Sequence, residues 1–318
     1  MKLVVTDSDF PDLELERALA HEADVELESA QVRTPAEVID VATGADALLV
    51  QYAEVDEAVF DALDLQIVGR YGIGVDSIDL DAATAAGVPV VNVPDYCLDE
   101  VSVHAFSLLL ACVREVSRLD REIRDGTWDW TLGKPIHRFA GQTLGLAGFG
   151  KIPRELARKA RAFDLDVVAY DPFVSADDIE AHDAKKVEFD ELLEQSDFMS
   201  VHVPLTDETE GMFDADAFGA MKASAVIVNT ARGPVIDTDD LFDALVAGDI
   251  AGAGLDVMPD EPPSNWSLFE LDNVVATPHI AWYSEESHTE LRRRVTEDIL
   301  GVLRGDQPND PVNEVGTE

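Results

Sequence analysis

Short apolar runs recur along the chain between helix-length amphipathic segments: KLVVT (2–6), ALLV (47–50), QIVGR (66–70) and VPVVN (88–92). Unbroken Val, Ile and Leu suit strands covered on both faces, as in a parallel sheet with helical crossovers. A second series begins near Thr143, with TLGLAGFG, DVVAYD (166–171), FMSVHV (198–203), AVIVNT (225–230) and AGAGLDV (251–257). The pattern predicts an α/β architecture twice over. Between the two series a helix is expected from about Leu98 to Arg124, followed by the irregular aromatic segment GTWDWTLGKPIHRFAGQ. Near the end, residues 284–305 have helical spacing, with Ser284 as N-cap and Gly305 as stop. Two long helices flanking the second series let the chain cross between domains twice. The expected division is therefore 1–97 plus 287–318 for one domain and 98–286 for the other, with no internal repeat.

Composition narrows the function classes. A length of 318 residues favours two domains, hence a cleft, and 46% hydrophobic residues mark a folded protein despite the charge. Lys and Arg number 23 against 65 Asp and Glu, a formal charge of −42. That balance repels phosphate polymers and anionic membranes, so neither nucleic acid nor a membrane is an expected partner. The acids are scattered along the whole length and only 7 of the basic residues are Lys, which reads as adaptation to concentrated salt. There, screening over about 3 Å at 1 M removes the self-repulsion. Cys97 and Cys112, about 22 Å apart along one predicted helix, cannot bridge. The charged start MKLVVTDSDF and the shortness of the apolar stretch 105–113 point to a soluble, cytoplasmic protein. That stretch is expected to be buried between domains or subunits.

The first candidate chemistry lies in LGLAGFGKI (144–152), a strand ending in Gly148 and Gly150 and leading into RELARKARAF. Such a turn lets backbone approach a pyrophosphate, while free N–H groups at a helix start favour its charge. Pro153 stands where the pattern has its third glycine. Proline suits a first helical turn, where its missing donor would have no partner. Asp171 ends the next strand 21 residues beyond Gly150, the spacing at which a carboxylate holds the ribose hydroxyls of NAD. The following PFVSADD holds no Lys or Arg for a 2′-phosphate, which favours NAD over NADP.

Three further residues each follow an apolar strand: Arg232 in NTARG, Glu261 in DVMPDEP and His279 in TPHIAW. Parallel sheets bind ligands at the carboxyl ends of their strands. Arg offers a two-pronged donor for a carboxylate, His a proton near neutral pH, and Glu a means to orient the ring and favour its charged form. No metal-ligand spacing is present.

These motifs, together with GRYGIGVDSIDL (69–80), HVPLTDET (202–209), NTARGPVID (229–237), GLDVMPDEPP (254–263) and TPHIAWYSEES (277–287), resemble the D-isomer-specific 2-hydroxyacid dehydrogenase family over essentially the whole chain. The ending HIAWYSEES and the stretch DYCLDEVSVHAFSLLL look most like its C-terminal binding protein branch and its phosphoglycerate dehydrogenase-like relatives. The resemblance implies two Rossmann-like domains: a doubly wound NAD-binding domain and a smaller, flavodoxin-like substrate domain. It implies that His279 is the acid/base, Glu261 its partner and Arg232 the clamp on the substrate's carboxylate and carbonyl. Gly72, Ile73 and Gly74 would hold the carboxylate's other end. Lys151 and Ile152 would contact the pyrophosphate, Val203, Pro204 and Thr209 line the nucleotide, Thr230 and Ala231 meet the nicotinamide ribose, and Asp256 face the carboxamide. It also suggests a homodimer through the cofactor domains. The main departure is Pro153.

The activity this implies is reversible hydride transfer between NAD(H) and C2 of a small D-2-hydroxy or 2-oxo acid. Tyr52, Trp282 and Tyr283 would form an aromatic substrate pocket. Phosphoglycerate oxidation would need a basic pocket, for which only Arg70, Lys134, His137 and Arg138 are candidates, and the chain stops at Glu318 without an appended regulatory domain. An NADH-sensing interaction protein with little turnover is the alternative from another class, disfavoured by the intact trio Arg232, Glu261 and His279. A formate dehydrogenase is disfavoured by Glu261, where that group carries an amide.

Overall fold

Leu3, Val5, Leu48, Leu49 and Ile67 are wholly buried, and the runs that contain them form the middle of a five-stranded parallel sheet. Its strands are β1 (Lys2–Val5), β2 (Glu26–Ser29), β3 (Ala47–Val50), β4 (Ile67–Arg70) and β5 (Val90–Val91). They lie in the order β2-β1-β3-β4-β5, the flavodoxin-like order. The crossovers are α1 (Glu14–Glu22), α2 (Pro35–Val41), α3 (Glu57–Ala62) and α4 (Leu80–Ala85). Asp56 and Asp79 cap α3 and α4 by accepting from Val59 and Ala82 N–H, the usual use of Asp at a helix start.

The computed structural model describes residues 1–315 and resolves two units, 1–96 with the residues from Ser284 onward, and Cys97–Tyr283. The sequence had placed the divisions at 97/98 and 286/287. The last helix of the chain, α12 (Glu285–Leu303, labelled after eleven predecessors), returns to the first unit, packing on β4 and α1. Ser284 caps it and Gly305, at φ +98, follows its end. Gly69 permits the approach, since a Cβ there would lie 2.5 Å from Ile299 Cδ1. A buried ion pair fixes the register: Arg292 Nε and Nη2 donate to Glu16 at 2.7 and 2.6 Å, and the Tyr71 hydroxyl donates to the same carboxylate at 3.1 Å.

The second unit holds a seven-stranded parallel sheet of β6 (Thr143–Ala147), β7 (Asp166–Tyr170), β8 (Lys185–Lys186), β9 (Phe198–Val201), β10 (Val226–Asn229), β11 (Gly252–Leu255) and β12 (Val274–Ala276). Their order is β12-β11-β10-β9-β6-β7-β8, so the winding reverses between β6 and β9. Such a reversal opens a crevice at the carboxyl ends of the strands, where doubly wound sheets bind ligands. Helices α5 (Leu98–Val113), α6 (Val116–Arg124), α7 (Lys151–Arg161), α8 (Ala176–Glu180), α9 (Phe189–Gln195), α10 (Ala215–Ala220) and α11 (Thr238–Ala247) complete the unit.

One expectation changes here. The single helix 98–124 is two, because Glu115 adopts a left-handed conformation (φ +56) and its N–H closes on Cys112 O. The apolar stretch of α5 packs within its own unit: Ala105, Phe106, Leu108 and Leu109 are buried there, and the helix lies against α7, β10 and β11. Cys97 and Cys112 are both unbridged, and burial pushes the Cys112 thiol up to about 12. Among the described residues no helix is long and apolar enough to cross a membrane, and no group of three or more His, Cys, Asp or Glu is placed to hold a metal.

Candidate active site and dinucleotide loop

The loop after β6 is built around two glycines with different reasons to be there. Gly148 has φ +93, and a Cβ on it would lie 2.9 Å from His202 O, so both conformation and space require glycine. Gly150 has an ordinary φ of −76, and a Cβ on it would meet nothing within 4 Å. Neither strain nor packing among the described residues accounts for a glycine there. It is the N-cap of α7 and has no side chain to cap the helix, so the first-turn N–H groups stay available to a phosphate. Lys151 and Ile152 occupy the first two helical positions, and Pro153, the third, is buried.

Asp171 follows β7 directly. Its carboxylate accepts from Phe149 N–H (2.8 Å), Phe173 N–H (2.8 Å) and Val174 N–H (3.2 Å). It therefore braces the glycine loop, a role the sequence did not reveal. A carboxylate offers about four acceptor positions, so capacity for a ribose hydroxyl remains. The absence of cations in PFVSADD is only local. Lys186 from β8 donates to Val174 O at 2.6 Å, and Arg154 from α7 donates to Phe149 O at 3.0 Å and pairs with Asp178. Both are engaged, leaving the Asp171 charge as the argument for NAD.

His202 lies behind the loop and shares a 2.8 Å hydrogen bond with Ser200 Oγ. The residue is half-buried, and burial pushes the imidazole down to about 3. An unfolded histidine takes a proton near 6.5, so the folded state is fully favoured above that pH and loses stability as pH falls from 6.5 toward 3. The slope from this group is at most about 1.4 kcal/mol per pH unit. Urea midpoints measured from pH 8 to 5 should fall more steeply for the parent than for His202→Gln; parallel curves would contradict this. Beyond it, Val203 is buried, and Thr209 Oγ1 donates to Pro204 O (2.6 Å) and accepts from Thr206 N–H (2.8 Å), closing the 204–209 turn.

The carboxyl ends of β10, β11 and β12 carry Arg232, Glu261 and His279. Buried Asn229 shapes the first turn: its Oδ1 accepts from Ala231 N–H (2.9 Å) and its Nδ2 donates to Arg232 O (2.8 Å). Arg232 Nη1 donates to Ala231 O at 2.7 Å. Thr230 Oγ1 is buried and has no hydrogen-bond partner among the described residues, as befits a hydroxyl kept for a ligand. Gly233 is pressed against the next loop, for a Cβ there would lie 2.0 Å from Met258 C. In that loop Glu261 Oε1 accepts from Met258 N–H at 3.0 Å. Its Oε2 lies 2.7 Å from His279 Nδ1. A carboxylate only accepts, so Nδ1 carries the proton and Nε2 is the nitrogen left for chemistry.

His279 is left-handed at φ +51, uncommon without glycine. Its N–H donates to Asp256 O (2.8 Å), and its carbonyl accepts from Trp282 Nε1 (3.1 Å). The buried Asp256 carboxylate accepts from Thr277 Oγ1 (2.6 Å), Ile280 N–H (3.0 Å) and Ala281 N–H (2.9 Å). What the resemblance assigns to the carboxamide thus also organises the His279 loop. His104 of α5, which the sequence reading passed over, joins this cluster 2.9 Å from Thr277 Oγ1.

The first unit holds the other candidates. Gly72 has φ +143, and a Cβ there would overlap the Arg70 guanidinium. The Gly72 and Ile73 carbonyls are taken by Val93 N–H and the Asn92 amide. Tyr52 lies under Arg33, 4.7 Å from its ring centre, and its hydroxyl donates to Asp9 at 3.2 Å. Buried Asp7 holds that turn, accepting from Gln51, Tyr52 and Ala53 N–H and pairing with Arg33. The remaining basic candidates lie elsewhere: Lys134 sits over Trp130, while His137 and Arg138 line a cavity of about 620 Å³ beside Phe198, Val226 and Gly252, at the amino-terminal edge of the seven-stranded sheet. That is the edge opposite Arg232, Glu261 and His279.

Residues 106–281 match the model of the D-isomer specific 2-hydroxyacid dehydrogenase, NAD binding domain. A glyoxylate reductase from Pyrococcus furiosus is 37% identical over 93% of this chain and 91% of its own length. A D-3-phosphoglycerate dehydrogenase from Archaeoglobus fulgidus is 40% identical over 81% of this chain, which spans only 49% of that protein. Among solved structures, D-lactate dehydrogenase from Aquifex aeolicus, complexed with NAD and lactic acid, superimposes with a TM-score of 0.87 at 27% identity, covering 96% of each chain.

Proposed function

Because the chain belongs to the D-isomer specific 2-hydroxyacid dehydrogenase family, we propose that it catalyses the reversible reduction of a small 2-oxo acid to the D-2-hydroxy acid with NADH. The observation that carries this is the His279–Glu261 pair, 2.7 Å apart, on the same sheet edge as Arg232 and the Gly148–Gly150 loop. The first-turn amides of α7 would hold the pyrophosphate, Asp171 a ribose hydroxyl and Thr230 the second ribose. Bound NADH supplies a hydride from its nicotinamide C4.

The chain's own residues do the rest. Arg232 holds the substrate carboxylate through its planar fork and polarises the C2 carbonyl. Glu261 keeps a proton on His279 Nδ1 and fixes the ring, so that Nε2 delivers its proton to the C2 oxygen as the alkoxide forms. In the oxidative direction Nε2 takes that proton back. Trp282, whose indole N–H donates to His279 O, is the candidate contact for the substrate's side chain.

The test is NADH consumption in molar KCl against glyoxylate, pyruvate, branched, aromatic and methylthio 2-oxo acids, and phosphohydroxypyruvate. Turnover with one or more supports the reading. Tight NADH binding without turnover would replace it by a sensor. Phosphoglycerate oxidation is the second reading, supported by the long phosphoglycerate dehydrogenase relatives and opposed by the placement of His137 and Arg138.

Three further properties belong to this proposal. We read the scattered acidity as adaptation to concentrated salt, so activity and stability should fall as KCl is diluted, and indifference to salt would refute it. We also keep a cytoplasmic setting as an expectation from the sequence. The exposed Val116, Ile123, Trp128 and Trp130 support a homodimer through this unit. Light scattering in high salt should give twice the 34.6 kDa chain mass; a strict monomer would refute it.

A further inference from the structure

We propose that His104, on α5, is a positioning residue that holds the His279 loop through Thr277 and Asp256. The proposal rests on the assignment of His279 as proton donor and adds a residue remote in sequence from that loop.

Hydrogen-bond bookkeeping carries it. Thr277 has one hydroxyl proton, and the Asp256 carboxylate 2.6 Å away can only accept, so that proton is committed to Asp256. The Thr277 oxygen must then accept from His104, whose Nε2 lies 2.9 Å from it. His104 Nε2 is therefore the protonated nitrogen, and it lies 3.5 Å from Asp256 Oδ1 as well. The Asp256 side chain is entirely enclosed. Burial pushes its carboxyl up, but hydrogen bonds from His104, Thr277, Ile280 and Ala281 outweigh this and leave it below the ordinary carboxylate value. It stays an anion, and that anion gathers the amides of Ile280 and Ala281 while its own carbonyl binds His279 N–H.

The consequence reaches the reacting group. His279 has a left-handed backbone that relaxes unless its surroundings enforce it. Enforcement comes from the Asp256 cluster, and His104 is the member supplied by a separate, rigid element: α5 is clamped by buried Phe106, Leu108 and Leu109. His104 thus ties the loop to the body of the unit. Without its N–H, Thr277 keeps its bond to Asp256 but loses its anchor to α5, and Nε2 of His279 is no longer held in one place.

The experiment compares the parent with His104→Leu, His104→Gln, Thr277→Val and the Leu/Val double variant in the full chain. Misplacement of a proton donor lowers kcat by about tenfold to a hundredfold. We expect that loss in His104→Leu, larger than any change in NADH affinity transmitted through Asp256. Glutamine presents an N–H at similar reach and should restore most of kcat. The double variant should be no worse than the poorer single one, because both break one chain of contacts. Parental kcat in His104→Leu, or equal losses in the Gln and Leu variants, would overturn the proposal.

A readout without turnover separates it from the functional reading. Imidazole ¹⁵N spectra of the resting protein should show His104 protonated on Nε2, with that proton shifting or vanishing in Thr277→Val. An Nδ1-protonated ring would overturn the positioning role even in an active enzyme. If the parent turns over no 2-oxo acid, the functional reading fails, and the tautomer still reports on the His104 contact.

Discussion

Replacing His279 with alanine lowers kcat for a 2-oxo acid by about three orders of magnitude, the range expected for a lost general acid. NADH affinity should barely change, because the groups assigned to the pyrophosphate and riboses lie after β6, β7, β9 and β10, and the bonds of Asp256, assigned to the carboxamide, run to main chain and Thr277 and not to the His279 ring. Alanine carries a side penalty: position 279 is left-handed at φ +51, where a Cβ without compensating contacts costs about 1 kcal/mol or more. Asparagine tolerates that backbone better. His279→Asn should therefore lose as much activity with less loss of thermal stability. Assays of kcat, NADH binding by fluorescence, and melting temperature separate the two effects. A variant at position 279 retaining near-parental kcat would remove this residue from the mechanism.

Gly233→Ala has the next largest expected effect, although it alters no functional side chain. The added Cβ would fall 2.0 Å from Met258 C and 2.2 Å from Met258 O, inside van der Waals contact with main-chain atoms. Either the turn bearing Arg232 or the loop bearing Glu261 must move. Overpacking of this kind costs about 1–3 kcal/mol, and a shift near 1 Å in a positioned group costs about a hundredfold in rate. We expect kcat/KM to fall by that factor together with the urea midpoint. Gly219→Ala is the control, since a Cβ there meets nothing within 4 Å. It lies in α10, where alanine should stabilise by about 0.5–1 kcal/mol. Equal behaviour of the two variants would show that the contact between the turns is unimportant.

How much of this was legible in the sequence follows from where the signals lie. Central strands were readable because both faces are covered, so AVIVN and ALLV are apolar without alternation. The edge strands β2 and β8, ELES and KK, were not, because they pair through backbone while their side chains stay exposed. Nothing in ACVREVSRL marks the break at Glu115: the residue that turns left-handed is a glutamate, without a Gly or Pro signal.

The candidate residues were readable because Asp171, Arg232 and His279 lie within three residues of strand ends and carry distinctive chemistry. Their supports were not. His104 looks like the polar face of an apolar helix until Thr277 is brought beside it from 173 residues away. Asn229 reads as the end of a strand, yet both ends of its amide bind the turn that presents Arg232. Arg154 and Lys186 reach the Asp171 loop from neighbouring elements, which a scan of adjacent residues misses. Sequence spacing singled out the candidate groups; tertiary contacts alone show what holds them.

On the proposed function, residues 97–283 present bound NADH and a His279 proton to the C2 carbonyl of a 2-oxo acid. Its most direct test uses NADH carrying deuterium at the transferable C4 position, incubated in molar KCl with the 2-oxo acid panel, with the products read by NMR. The account predicts deuterium at C2 of a D-2-hydroxy acid. NADH that binds tightly yet delivers no deuterium to C2 of any acid would contradict it.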